Sequence, residues 1–271
     1  MTLLQAIILG VIQGITEFLP VSSSGHLIFI PQFLGWQDQG IAFDIFVHLG
    51  TLFAVAVYFR KRIWTLIRSF LPSSVLSSSI SSNKEARQDR KLALWVLFSI
   101  IPAAVIGLMF EQVSRSAQVV AWSLIVWGVV LAIADWVHSK KVQTTPFNKL
   151  KVSQVIFISL AQAIALIPGT SRSGITITAG LFSGLSKKAA AEFSFLMSLP
   201  VIGAAGLLKL LELISSPEAI SWVPMLVGGL TAALSGFLAI SFLMKLVEKR
   251  GFLPFAIYRV IVGVLILLVL V

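Results

Sequence analysis

The chain has 271 residues, of which 57% are hydrophobic and only 12% charged, about half the charge expected of a soluble domain. It contains no cysteine, which excludes disulfides, thiolate nucleophiles and sulfur-ligated metals. The net charge of +10 accompanies apolar runs long enough to cross ~30 Å of hydrocarbon, so it fits basic cytoplasmic loops beside anionic lipid rather than nucleic acid.

The first apolar stretch, residues 2–35, is interrupted by Glu17, Pro20, Ser22, Ser23, Ser24, Gly25 and His26. Backbone groups freed by such a break must be buried in protein or line a wet cavity. The pattern therefore predicts a re-entrant helical hairpin with its polar tip inside the membrane. The N-terminus lacks a basic n-region and a small-residue cleavage site, so it is expected to be retained. Spans are predicted over 42–60, 91–111 and 117–137, with a Ser-rich polar linker over 71–90. A second broken stretch, 152–184, is interrupted by Pro168, Gly169 and the run Thr170-Ser171-Arg172-Ser173-Gly174, and is read as a second hairpin. Spans over 189–211, 221–245 and 253–271 complete the chain. Trp36, Trp64, Trp122, Trp136 and Trp222 fall near span ends and read as interface anchors.

The two broken stretches match each other. Gln13-Gly14-Ile15 aligns with Gln162-Ala163-Ile164, and Ser22-Ser23-Ser24-Gly25 with Ser171-Arg172-Ser173-Gly174, both at an offset of 149 residues. A hairpin returns to the side it entered, and three spans then cross to the other side, so the second copy must be upside down relative to the first. The predicted fold is an all-α polytopic membrane protein with an inverted-topology repeat. Each half, 1–137 and 138–271, is a re-entrant hairpin plus three transmembrane helices in one integrated domain. With the N-terminus outside, every Lys and Arg of the 21 except Arg115, Arg172, Lys209 and Arg259 falls on the inner side, as the positive-inside rule requires. The first hairpin then opens outward and the second inward.

The candidate chemistry lies at the two tips. A carboxylate at Glu17, within a hydrophobic segment, is a functional candidate by default. Gln13 lies one helical turn earlier on the same face. Pro20 ends one helix and a serine caps the next. That helix N-terminus offers free N–H groups to an anion, and a Ser22 or Ser23 hydroxyl could attack phosphorus if a base took its proton. Glu17 and His26 are the nearby proton carriers. At the second tip, Arg172 lies too deep to snorkel easily and calls for a carboxylate or a phosphate. An Arg172–Glu17 pair joining the hairpins is the purely structural reading, and it is compatible with phosphate binding. Asp44, His48 and Glu192 are assigned structural roles, and Arg259 supports the core or snorkels.

Gln13-x-x-x-Glu17, the Pro20–His26 run and Pro168-Gly169-x-Ser171-Arg172-Ser173-x-x-Thr176 closely resemble the undecaprenyl-diphosphate phosphatase family, the bacitracin-resistance proteins of bacterial membranes. The resemblance extends to Phe252-Leu253-Pro254-Phe255-Ala256-Ile257-Tyr258-Arg259. It implies hydrolysis of undecaprenyl diphosphate to the monophosphate and inorganic phosphate, at a site facing outward from the bacterial cytoplasmic membrane. It also implies a divalent cation, Mg2+ or Ca2+, with Glu17 and Gln13 as candidate ligands. Gln13 stands at a position that is Glu or Gln in the family, which weakens the case for a two-carboxylate metal site. The lipid phosphatases with a histidine nucleophile need a His soon after Ser-Arg, and none follows Ser171-Arg172.

The resulting expectation is a lipid diphosphate phosphatase. Glu17, Ser23, His26 and Arg172 are catalytic, with Ser23 preferred as nucleophile over Ser22. Ser22, Ser24, Gly169, Ser171, Ser173 and Thr176 bind substrate. The expected partners are the substrate and the bilayer, with no nucleic acid; a homodimer is compatible with the sequence. The alternative is a transporter that flips the polyprenyl phosphate carrier, since inverted repeats with broken helices are also transporter features.

Overall fold

A computed structural model describes residues 1–71, 83–109, 116–140, 142–214 and 221–271. The described residues are helical, apart from short turns and one isolated bridge pairing Thr145 with Leu185. The first hairpin is α1 (Leu3–Phe18) and α2 (Ser23–Phe33), followed by α3 (Gly40–Tyr58) and the short basic α4 (Arg60–Arg68). Next come α5 (Asn83–Phe98), α6 (Ile101–Met109) and α7 (Ala117–Ser139). The second hairpin is α8 (Val152–Ala163) and α9 (Arg172–Phe182). The long helices α10 (Lys187–Ile214), α11 (Trp222–Arg250) and α12 (Leu253–Leu270) end the chain.

Among the described residues, six helical segments are long and apolar enough to cross a bilayer, and they fall on the six expected spans. Their outer faces carry exposed Phe53, Leu108, Leu230, Leu238 and Leu268, as lipid-facing positions require. Two boundaries differ from the hydropathy reading. The second span is two helices meeting at Ser99–Ile100. Pro102 has no N–H to continue the ladder there, and Gln162 of α8 donates to the buried Ser99 carbonyl at 3.1 Å. The linker expected over 71–90 falls largely outside the described residues, as do Arg115 and Lys141, but from Asn83 onward the chain is already helical. An Arg62–Asp89 ion pair at 2.9 Å and Arg90 on the Ser69 carbonyl at 2.6 Å fasten this polar start of α5 to α4, contacts that local polarity does not reveal.

Small residues let the hairpins pack deep in the protein. A Cβ on Gly14 would lie 2.5 Å from the Ala232 carbonyl oxygen and 2.7 Å from the Gly236 nitrogen, so α1 and α11 meet backbone to backbone, as membrane helices do where small residues line the interface. The main apolar core lies beside the tips, with Phe18, Phe59, Phe193 and Phe195 buried in it.

The hairpins share one local design. Ser22 and Ser171 are the only non-glycine residues with positive φ among those described, at 75° and 69°. Each caps the following helix, accepting from Gly25 N at 3.4 Å and Gly174 N at 3.0 Å. A non-glycine residue in that region is strained, and the same strain recurs at the same offset in both breaks.

Candidate active site

The site forms where the two tips touch. Pro20 and Ser22 turn the chain between α1 and α2. Glu17, in the last turn of α1, thus lies beside Ser23, the first residue of α2. Ser23 Oγ donates to Glu17 Oε2 at 2.7 Å, and Gln13 Nε2 donates to the same oxygen at 3.1 Å. The other carboxylate oxygen, Oε1, accepts from Arg172 Nη2 at 2.9 Å. Ser173 Oγ also donates to the Leu19 carbonyl at 3.2 Å. The Glu17–Arg172 ion pair therefore joins the hairpins and bonds the serine hydroxyl at once. Its side chains are 8% and 12% exposed, well shielded from water, while Ser23 is half-buried and Ser24 exposed at the mouth.

The remaining expected residues occupy distinct places. Ser22 and Ser171 hold the bends as caps, Ser24 Oγ lies 3.3 Å from Ser22 Oγ, and Ser173 Oγ lies 3.2 Å from Ser171 Oγ. Thr176 Oγ1 donates to the Arg172 carbonyl at 2.8 Å and bonds Ser194 Oγ at 2.7 Å. Gly169 adopts φ +87°, and a Cβ there would lie 2.5 Å from the Val120 carbonyl oxygen, so only glycine lets the second tip lie against α7.

Both ring nitrogens of His26 bond groups other than Ser23. Its Nδ1 lies 2.7 Å from the Ser22 carbonyl, which can only accept, so Nδ1 carries the hydrogen. Nε2 then accepts from the Tyr258 hydroxyl at 2.7 Å. His48 makes a similar choice: Nδ1 donates to the Asp44 carbonyl at 2.7 Å, and Nε2 stands 3.8 Å from Glu17 Oε2. Sequence reasoning missed two contributors. Ser194 offers its carbonyl to Arg172 Nη1 at 2.8 Å, a backbone contact with no residue signature. Tyr258 lies more than 200 residues from the first tip, and only its place in the Phe252–Arg259 motif could have marked it; Arg259, expected to support the core or snorkel, is completely buried.

Chemically, the tips combine a hydroxyl bonded to one oxygen of a carboxylate, a guanidinium bonded to the other, and two helix N-termini whose first residues are Ser23 and Arg172. Free N–H groups and the helix dipole favour an anion at such ends. A carboxylate accepting from a serine can take its proton, and a guanidinium matches phosphate oxygens in a planar fork. Among the described residues no group of three His, Cys, Asp or Glu side chains is placed to hold a metal. Gln13 Oε1 is nevertheless buried without a partner beside Glu17, so two oxygen donors are available to a hard cation that keeps water or substrate oxygens as its other ligands.

A family model described as Bacitracin resistance protein BacA matches residues 6–265. The chain is 45% identical over 271 residues to "Undecaprenyl-diphosphatase 2" of Stutzerimonas stutzeri, covering 98% of each chain. It is 46% identical over 271 residues to "Undecaprenyl-diphosphatase" of Colwellia psychrerythraea, covering 97% of each. A protein of the same name from Campylobacter curvus is 42% identical over 275 residues, with both chains covered in full.

Proposed function

The chain belongs to the bacitracin resistance protein BacA family, and we propose that it hydrolyses undecaprenyl diphosphate to undecaprenyl phosphate and inorganic phosphate, recycling the lipid carrier of cell-wall synthesis. The observation that carries this reading is the position of Glu17, which bonds the Ser23 hydroxyl at 2.7 Å and the Arg172 guanidinium at 2.9 Å. A base, a nucleophile and an anion clamp thus share one shielded site.

Arg172 and the N–H groups opening α2 and α9 hold the terminal phosphate and offset its charge, with Ser171, Ser173, Thr176, Ser22, Ser24 and the backbone at Gly169 around it. Ser23 Oγ attacks the terminal phosphorus while Glu17 takes its proton. The bond from that phosphorus to the bridging oxygen breaks, and undecaprenyl phosphate leaves. Water then attacks the phosphoserine, inorganic phosphate departs, and Ser23 recovers its proton. His26, expected from the sequence to move protons, has both ring nitrogens bonded, to the Ser22 carbonyl and the Tyr258 hydroxyl, and so braces the first bend rather than reaching the incoming water. Phosphoryl transfer needs chiefly positioning and neutralisation of charge. A divalent cation, Mg2+ or Ca2+, would supply further neutralisation when held by Glu17 and Gln13.

The placement in the membrane is part of the proposal. The matched Ser22 and Ser171 bends at an offset of 149 residues and the distribution of Lys and Arg support inverted halves, with the first tip reached from the outer side of the cytoplasmic membrane. The prenyl chain stays in lipid. An apolar groove of about 400 Å³ between α7 of the first half and α8 and α9 of the second, lined by Trp127, Val130, Phe157, Leu160, Ile175 and Phe182, suits such a chain. The flippase reading rests on architecture alone, whereas hydrolysis also has a nucleophile and a base in contact.

Phosphate release by purified protein tests the reading. Wild type is expected to turn over undecaprenyl diphosphate. Ser23→Ala is expected to lose about two to four powers of ten, in line with removal of an activated nucleophile or its base. Full turnover by Ser23→Ala would refute the nucleophile assignment, and transport without phosphate release by wild type would favour the flippase.

A further inference from the structure

Arg259 is completely buried and is the largest fully buried side chain of the described residues. It projects from α12 into the gap between the two tips. Its Nη1 reaches the Pro20 carbonyl of the first tip at 3.4 Å. Its Nη2 donates to the Thr170 and Gly169 carbonyls of the second tip at 2.8 and 3.1 Å. Nε and Nη2 also reach the Leu124 and Ser123 carbonyls of α7, each at 3.4 Å. One side chain thus binds both broken helices and a span.

No carboxylate is ion-paired with Arg259 among the described residues. A buried cation without a counter-ion is a costly way to fill space, and an apolar side chain of similar volume would pack more favourably. The surroundings nonetheless make room for it. A Cβ on Gly174 would lie 2.5 Å from Nη1, and one on Gly128 would lie 3.0 Å from the Arg259 Cβ. Three of the carbonyls it binds, those of Pro20, Gly169 and Thr170, lie at the helix breaks, where backbone acceptors lack helical partners. Pro20 lies three residues from both Glu17 and Ser23, and Thr170 lies two residues from Arg172. The distance between the acceptors of Arg259 therefore sets the distance between the reacting groups.

We propose that Arg259 is a positioning residue: it fixes the separation of the two tips, and with it the geometry of Glu17, Ser23 and Arg172. The proposal rests on the phosphatase reading. A misplacement of 1 Å at a reacting centre costs on the order of 100-fold in rate. Lysine keeps the charge but lacks the planar fork needed to span both tips, so Arg259→Lys separates reach from charge.

The test compares wild type, Arg259→Lys and Arg259→Gln, purified in detergent, by melting temperature, kcat and KM for phosphate release from undecaprenyl diphosphate. Folded Arg259→Lys is expected to show kcat reduced roughly 100-fold with KM within about threefold. Wild-type kcat in the folded variant, whatever its melting temperature, would reduce Arg259 to a packing role. A raised KM with unchanged kcat would make it a substrate-binding cation, and either result overturns the proposal. A second readout does not depend on turnover. The chain has no native cysteine, so spin labels at Ile15→Cys and Leu166→Cys, exposed positions on the two hairpins, report tip separation. The distance distribution should broaden in Arg259→Lys and stay narrow in wild type, and an unchanged distribution overturns the proposal. If Arg259→Lys does not purify, Gly174→Ala, whose Cβ would meet the guanidinium, must broaden the distribution in the same way. Loss of wild-type phosphate release would refute the phosphatase reading while leaving the label distances to judge Arg259.

Discussion

A double-mutant cycle on Glu17 and Arg172 separates a structural ion pair from a catalytic one. Arg172→Met leaves the Glu17 carboxylate, 8% exposed, without its cation. Breaking a buried pair from one side costs about 3–5 kcal/mol. Here the loss should fall toward 3 kcal/mol or below, because Ser23 Oγ and Gln13 Nε2 still donate to the carboxylate at 2.7 and 3.1 Å and charge-assisted hydrogen bonds contribute roughly 1.5–3 kcal/mol each. Adding Glu17→Gln removes the stranded charge, so the double variant should regain about 1–2 kcal/mol over Arg172→Met alone. Activity should not follow. Each single change is expected to lower kcat/KM by about 100- to 10,000-fold, and the double variant should be no better than the worse single, as for residues acting as a unit. The assays are chemical denaturation or thermal melting in detergent for stability and phosphate release for activity. If activity recovers together with stability in the double variant, the pair is a strut between hairpins and its catalytic role is refuted.

Other outcomes follow from the same geometry. Ser22→Ala should cost about 1 kcal/mol through loss of the cap on Gly25 N; Ser22→Gly, which is suited to φ 75°, should be more stable than the alanine form, and melting temperatures that rank the other way would contradict the strained-bend account. Gly14→Val should prevent close packing of α1 on α11 and lower the yield of folded protein, because even a Cβ there would stand 2.5 Å from the Ala232 carbonyl oxygen; normal yield and melting would show that the interface is looser. Chelation should depress phosphate release, and Mg2+ or Ca2+ should restore it; Gln13→Glu, by adding a second carboxylate, should lower the metal concentration for half activity roughly tenfold or more, and an unchanged titration would remove Gln13 from the cation site.

Much of the architecture was legible because lipid imposes simple rules. A helix must be apolar over ~30 Å to cross, so six spans appeared in the hydropathy, and a Pro/Ser/Gly break at that depth must be shielded, so the two hairpins appeared as well. The bends carried their own signature in the paired serines, and the costly Glu17 and Arg172 marked the place where the tips meet. The split at Ser99–Ile100 was less visible, since one proline in an otherwise apolar run barely changes its hydropathy. The early start of α5 was hidden because its supports, Arg62 with Asp89 and Arg90 with the Ser69 carbonyl, lie on different segments.

The sequence by itself determined that the chain lives in a membrane, where it breaks, and which charged and hydroxylated side chains its breaks carry, because burial in lipid penalises each such residue one at a time. Only the tertiary structure decided who meets whom. It gave the Glu17 oxygens to Ser23 and Arg172, turned His26 toward Tyr258, and set Arg259 on the Pro20, Gly169 and Thr170 carbonyls. Those partners are far apart along the chain, and several are backbone oxygens that every residue possesses. A carbonyl left open by a broken helix is identified by its position in space, and packing alone brings the guanidinium to it.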